Sequence, residues 1–174
     1  AIVLGNTASL AKTGYVFAAW NSQASGMGVT YSAGATFTMA AANAILYPIW
    51  IQAELDFTVV GAQITIIGYN ALISGSMIIP GGVTTIEGNA FMYSGLEGVT
   101  IPASVASIGA SAFSHSFSLA SVTLNGLVAP ALPATSSAFA SCHAGLAINV
   151  PTASLAAYQA AIGWVDYASI IVGY

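Results

Sequence analysis

Few side chains in this sequence could carry out chemistry, and their spacing does not indicate an active site. The candidates are two histidines, His115 and His143, one cysteine, Cys142, and two acids, Glu87 and Glu97. A two-histidine zinc site usually takes a third ligand, and no acid stands at a suitable spacing. A lone cysteine in an apolar stretch is more typical of core packing than of catalysis. We expect exposed loop histidines, solvated acids in turns, and no catalytic residue, metal or cofactor.

The chain is organised around a tandem repeat between Ile78 and Leu124. Its two copies read IIPGGVTTIEGNAFMYSGLEGVTI and IPASVASIGASAFSHSFSLASVTL, and Phe91 of the first copy corresponds to Phe113 of the second. A looser third copy contains Phe139. Phe91 and Phe113 are 22 residues apart. A repeat of this length is typical of a solenoid, in which each unit buries its apolar face against its neighbours. We expect Phe91, Phe113 and Phe139 to stack as a buried ladder.

Each repeat contains a short strand followed by a corner. Val99–Ile101 alternates apolar and polar residues, which predicts a strand with one buried face, and Pro102 ends it because proline cannot donate to the ladder. Val105 and Ile108 are three residues apart and are predicted to point inward from a corner. The next strand is expected at Val122–Leu124.

The repeat pattern resembles that of a known family. The pattern IP-x-x-V-x-x-I-G-x-x-A-F-x-x-[CS]…L-x-x-V-x-[IL] is similar to the BspA-like leucine-rich repeats of bacterial surface proteins, from about residue 56 to the C-terminus. Ser94, Ser116 and Cys142 each lie three residues after a repeat phenylalanine, where that family often has cysteine. The resemblance implies a β-rich solenoid, an exported protein, and binding rather than catalysis.

The first fifty residues have a different pattern. Short strands are predicted at the opening AIVLG, around Tyr15 and Phe17, at Val29–Tyr31, at Ala35–Met39 and at Ile45–Trp50. The motif GYxFxxWN…YxxGxxFTM…N-x-x-LYPIW resembles the Listeria–Bacteroides (internalin B-type) repeat, which implies a small β-grasp-like fold. This chain lacks the strand with which that family normally begins. The aromatic residues Tyr15, Phe17, Trp20 and Trp50 suit a hydrophobic core, with a carbohydrate platform as the alternative.

These patterns predict a mainly β fold with two modules. The first, residues 1–52, is β-grasp-like, and the second, residues 56–174, is a short leucine-rich-repeat solenoid. A hairpin at Phe57–Ile67 is expected to cap the solenoid, because an open end would expose its core.

A single helix is predicted near the C-terminus, at residues 153–162. Its apolar residues fall on one face, Thr152 or Ser154 could cap its start, and Gly163 could end it. Ile170–Tyr174 then reads as a last strand.

The composition excludes several functions. The chain is 57% hydrophobic and 3% charged, with one Lys or Arg and a net charge of −4. Nucleic-acid binding requires many basic residues to neutralise phosphates, so it is excluded. Glycine, proline and polar residues interrupt every window long enough for a membrane-spanning helix.

The remaining hypothesis is a non-catalytic extracellular protein of the bacterial cell surface, either a self-assembling subunit of a filament or layer, or an adhesin. In the first case the partners are other copies of itself, bound head to tail. In the second, the solenoid face binds a host or neighbour-cell protein. The proposed assembly strand comprises Ile170, Ile171, Val172 and Tyr174, which would fill the gap left in the first module. Residues 1–4 or the hairpin at Phe57 could instead fill that gap within one chain.

Overall fold

The computed structural model describes residues 10–37, 44–134 and 137–174. Twelve strands and one α-helix occur in these parts of the chain, together with two 3-10 turns at 152–154 and 165–170. The elements are β1 Tyr15–Asn21, β2 Thr30–Tyr31, β3 Tyr47–Gln52, β4 Leu55–Val60, β5 Gln63–Tyr69, β6 Ser74–Ile78, β7 Val83–Ile86, β8 Gly95–Ile101, β9 Ser107–Ile108, β10 Ser121–Leu124, β11 Ala147–Val150, α1 Leu155–Ala160 and β12 Ile171–Gly173.

The first part of the chain forms a three-stranded antiparallel sheet in the order β2-β1-β3. β1 pairs with β3 from Tyr15 opposite Gln52 to Asn21 opposite Tyr47, and with β2 only at Trp20 and Asn21. The aromatic and β-branched residues of YVFAAWN suit such a strand. The mainly β character of this part agrees with the prediction.

One predicted strand of this part, Ala35–Met39, lies only partly within the described residues. Within 35–37 the structure has a bridge residue and no strand, while residues 38 and 39 lie outside the described part of the chain. The opening AIVLG also lies outside it.

A buried asparagine organises the loop between β1 and β2. The Asn21 side-chain nitrogen donates to the carbonyls of Gly26 and Gly28, at 3.2 and 3.1 Å, and to the Thr30 hydroxyl at 3.0 Å. Its oxygen accepts from the backbone N–H groups of Gln23 and Gly28. Since every polar atom of this buried side chain is bonded, the loop is held in a single conformation.

That loop packs directly on the solenoid. Gly26 lies so close to the backbone of Gly81 that a Cβ atom would not fit between them, and the side chain of Ile49 contacts Gly82 in the same way. Ile49 and Ile51 belong to the same buried core as the solenoid residues. The three-stranded sheet is therefore joined to the repeats through the loop and through β3.

The solenoid has two sheets rather than one sheet and a corner. A five-stranded parallel sheet runs in the order β12-β11-β10-β8-β6, and a four-stranded sheet in the order β4-β5-β7-β9. The predicted corner at Val105 and Ile108 is therefore wrong in part, because Ser107–Ile108 forms a strand that pairs with β7. The β4–β5 hairpin opens the second sheet at the position predicted for the cap.

The third side of the solenoid is a column of turns. In each turn the second residue after the repeat phenylalanine has a left-handed backbone. The φ angles are 62° at Tyr93, 59° at His115 and 55° at Ser141. Left-handed backbone is uncommon for residues other than glycine. The same conformation in three successive turns shows that it is required by the fold.

The C-terminal cap differs from its prediction in two details. The helix α1 covers only Leu155–Ala160, and neither Thr152 nor Ser154 caps it, because the Ser154 hydroxyl donates to Pro151 O instead. The buried rings of Tyr158 and Trp164 attach the cap to the loop before it. Trp164 donates to the carbonyl of Pro130 at 2.7 Å.

Candidate interaction surface

The residues that could do chemistry are not assembled into a site. The backbone N–H of His115 bonds to Ala140 O, which places His115 opposite Ser141 rather than opposite His143. Glu87 and Glu97 are exposed, and Glu97 lies within strand β8 rather than in a turn as predicted. In residues 10–37, 44–134 and 137–174 no three His, Cys, Asp or Glu side chains are grouped to hold a metal ion.

Cys142 has a structural environment. Its Sγ lies 3.2 Å from the carbonyl oxygen of Phe113 and donates to it. Burial raises the pKa of its thiol from the usual 9.0 to about 11, against a smaller lowering by a backbone hydrogen bond from Ser116. The thiol is therefore protonated at neutral pH and is a poor nucleophile.

The repeat phenylalanines form a continuous column. Phe91 stacks on Phe113 with ring centroids 5.0 Å apart, and Phe113 stacks on Phe139 at 5.4 Å. Tyr69 extends the column at one end and Trp164 at the other. All three phenylalanines are buried, so this column is a source of stability and not a binding surface.

The aromatic residues of the first module are divided between two places. Phe17 contacts Trp20 and Trp50 edge to face, with centroids 5.2 and 5.9 Å apart. Tyr15 lies under the ammonium group of Lys12, whose Nζ is 3.7 Å from the ring centroid. Phe17, Trp20 and Trp50 are half buried, which fits a packed cluster better than an open carbohydrate platform.

The outward face of the five-stranded sheet is the broadest regular surface of the solenoid. One row of outward positions crosses all five strands in register: Ile78, Thr100, Thr123, Asn149 and Val172. The three inner positions are polar. The two outer positions are apolar, with exposed fractions of 70% for Ile78 and 44% for Val172. Both edges of this face therefore present apolar side chains to solvent.

The proposed assembly strand lies at one of these edges. Ile171 is buried, Val172 and Tyr174 are exposed, and β12 pairs in parallel with β11 of its own chain. Ile170 lies outside the strand, in the last residue of the preceding 3-10 turn, which corrects the predicted strand Ile170–Tyr174.

Sequence reasoning missed the opposite edge, strand β6. A signal was present: the 22-residue offset of the repeat places Ile78 at the position of Thr100, so an apolar residue occupies a polar position of the repeat. A second aromatic feature was also missed. On the turn surface the His115 ring contacts the rings of Tyr93 and Phe117, with centroids 4.9 and 5.9 Å apart.

Residues 57–160 match a family described as the BspA type leucine-rich repeat region, in six copies, and these residues make up more than half of the chain. The chain belongs to the BspA-type leucine-rich-repeat family. The BspA-like part of the predicted resemblance is thereby confirmed, as is a mainly β fold with a single short C-terminal helix among the described residues. No curated protein matches the chain.

Membership of the BspA-type family indicates a general role. Its repeats are typically non-enzymatic interaction domains, and its members are generally bacterial surface or extracellular proteins. None of the helices in the described parts of the chain is long and apolar enough to cross a membrane.

Proposed function

We propose that this BspA-type protein is a non-catalytic extracellular subunit that assembles with other copies of itself into a filament or layer on the bacterial surface. The observation that carries the proposal is the exposure of apolar side chains on both outer strands of the five-stranded sheet, Ile78 on β6 and Val172 on β12. β6 and β12 each have one neighbouring strand among the described residues, and neither contains a charged residue or a proline.

Exposed strand edges normally carry features that prevent association. Soluble proteins protect them with Lys, Pro, bulges or covering elements, because open N–H and C=O groups pair with other chains. Here only an irregularity at Gly75–Ser76 interrupts the β6 edge. With one basic residue in the whole chain, charge gives little protection to either edge.

The C-terminal strand is the proposed assembly strand, with Val172 and Tyr174 as its exposed residues and Ile170 and Ile171 as its anchor. A contact between this end of one copy and a different surface of the next is heterologous, and it propagates into a filament unless it closes into a ring. The proposal includes the division into modules 1–52 and 56–174, with the first module as a β-grasp-like Listeria–Bacteroides repeat.

The alternative is an anchored or monomeric adhesin that binds a host or neighbour-cell protein. It is favoured by the exposed aromatic strip formed by Tyr93, His115 and Phe117. Exposed aromatic side chains are enriched in protein interfaces, where a few of them supply much of the binding energy.

Two measurements on the full chain distinguish the assembly role from the adhesin role: size-exclusion chromatography with light scattering, and negative-stain imaging. Polymers that grow with protein concentration support the assembly role. A single species at the monomer mass of 17.4 kDa at all concentrations supports the adhesin.

A further inference from the structure

We propose that the exposed edge of β6 is the acceptor for the C-terminal strand β12 of a second copy, so that the five-stranded sheet continues from one molecule into the next. This inference rests on the proposed self-assembly and names its interface. It replaces the acceptor expected from the sequence, the gap in the first module, because β6 belongs to the same parallel sheet as β12 and an added β12 would continue that sheet.

The backbone of β6 is ready for a parallel neighbour. Ile79 N–H donates to Thr100 O, and Ile73 O accepts from Gly95 N–H, so these residues bond to β8. Because successive residues of a strand face opposite sides in the hydrogen-bonding plane, the backbone groups of Ile78 face away from β8. Within the described residues no other strand pairs with these groups, so they are available to a further strand.

The side chains at the two edges are complementary. In the register row that crosses the sheet, the apolar residues Ile78 and Val172 occupy the ends and polar residues occupy the middle. When β12 of one copy lies beside β6 of the next, Val172 and Ile78 become neighbours, and each covers the other's apolar surface. Neighbouring β-branched side chains on one face stabilise a sheet.

A slot beside β6 has room for an extended segment. It has a volume of about 250 Å³ and is lined by residues that include Gln52, Glu54, Leu72 and Ser76. Leu72 is fully exposed at the same edge.

The donor strand has a matching direction, and its outer edge carries one side-chain hydrogen bond. All strands of the sheet run parallel, so adding β12 to β6 preserves the strand direction. Tyr174 N–H bonds to Val150 O on the β11 side, so the groups of Gly173 face the free side. On that side the Gln159 side chain makes a 3.3 Å bond to Ile171 O, which an incoming β6 would replace. A second copy is the occupant because the two edges belong to one sheet and fit each other.

Charge placed at either edge tests the interface. We expect Ile78→Glu and Val172→Lys each to raise the protein concentration needed for assembly about tenfold or more, because an unpaired charge would be buried in the contact. The double variant, Ile78→Glu with Val172→Lys, should recover assembly, since opposite charges then meet between copies. Val60→Glu is the control, because Val60 is 72% exposed, close to the 70% of Ile78, and lies on β4 in the other sheet.

Sedimentation velocity over a concentration series, with circular dichroism to verify folding, gives distinct outcomes. A wild-type chain that stays monomeric would overturn both the assembly role and this interface. If the wild type forms polymers and folded Ile78→Glu forms them equally well, the β6 acceptor is overturned and self-assembly stands. The same conclusion follows if Val60→Glu loses the polymers as fully as Ile78→Glu does. Loss of polymers in both single variants, with recovery of polymers in the double variant, supports the head-to-tail contact.

Discussion

The position three residues after each repeat phenylalanine holds successive turns together. The Ser116 hydroxyl donates to Phe91 O at 2.9 Å and contacts the Ser94 hydroxyl at 2.9 Å, while Cys142 donates to Phe113 O in the next turn. Each side chain thus satisfies a buried carbonyl of the turn before it. A small side chain with one donor is what the position requires, which explains why both serine and cysteine occur there.

The stacked phenylalanines should dominate the stability of the repeats. Phe113 lies between two other rings and is fully buried, so Phe113→Ala should lower the free energy of unfolding by about 3–5 kcal/mol. Phe117→Ala is the matched control, because Phe117 is 64% exposed in the same repeat. Urea unfolding measures the free energy of unfolding of both variants. Equal effects of the two changes would contradict a core role for Phe113.

Stability should decrease in alkaline solution. Burial raises the pKa of Cys142 to about 11 and that of Tyr158 to about 12, the latter with a smaller contribution from Tyr174. The folded state holds these protons more tightly, so the stabilisation is complete below pH 9.0, the ordinary pKa of cysteine, and is lost as the pH rises toward the folded values.

Urea midpoints at about pH 8 and about pH 10.5 test this dependence. Cys142→Ser keeps a donor to Phe113 O, as Ser116 shows in the preceding turn, but removes the titrating thiol. Its alkaline loss of stability should therefore be smaller than in the wild type. An identical loss in both proteins would show that Cys142 does not contribute.

At the scale of elements, the loop between β1 and β2 is what fixes the first sheet to the solenoid. The buried Asn21 side chain holds the loop from within, and Gly26 places it against the backbone of Gly81. Only glycine permits this approach, because any Cβ would overlap the neighbouring backbone. The close contact between these two glycines is therefore one part of the junction, beside the packing of Ile49 and Ile51 of β3 in the shared core.

Gly26→Ala should weaken this junction by about 1–3 kcal/mol, because the added methyl group must push the two backbones apart. Gly34→Ala is the control: the two glycines have similar positive φ angles, +76° and +81°, but nothing lies within 4 Å of a Cβ at Gly34. Hydrogen exchange should show faster opening of residues 22–29 in Gly26→Ala only. Equally fast exchange in both variants would indicate that backbone strain, and not the contact with Gly81, causes the faster opening.

At the scale of the whole molecule, stability comes from apolar packing and hydrogen bonds rather than from charge. The one basic side chain, Lys12, lies over the ring of Tyr15, and no ion pair joins residues of the three described segments. Such a molecule has few electrostatic contributions for salt to screen.

The melting temperature should therefore change little between about 0.02 and about 0.3 M sodium chloride. Calorimetry at low protein concentration measures this for the unassembled chain. A strong dependence on salt in that range would contradict a stability dominated by apolar burial.

The sequence by itself determined the repeat architecture. The 22-residue offset and the alternation in Val99–Ile101 and Val122–Leu124 predicted short stacked strands with one buried face, because a short unit with one apolar face must stack on its copies. The three phenylalanines were identifiable for the same reason. The helix near residue 155 was also predicted, but the side-chain cap predicted at Thr152 or Ser154 does not form, because side-chain capping depends on local geometry that residue types do not specify.

Only the tertiary structure decided which strands stand at the edges and what they expose. Ser107–Ile108 has too few residues to be recognised as a strand and is extended only because β7 lies beside it. The exposure of Ile78 and Val172 follows from the order of strands in the sheet, which depends on contacts distant in sequence. The sequence shows that Ile78 and Val172 are apolar. Their position on the first and last strands of the sheet exposes them to another molecule.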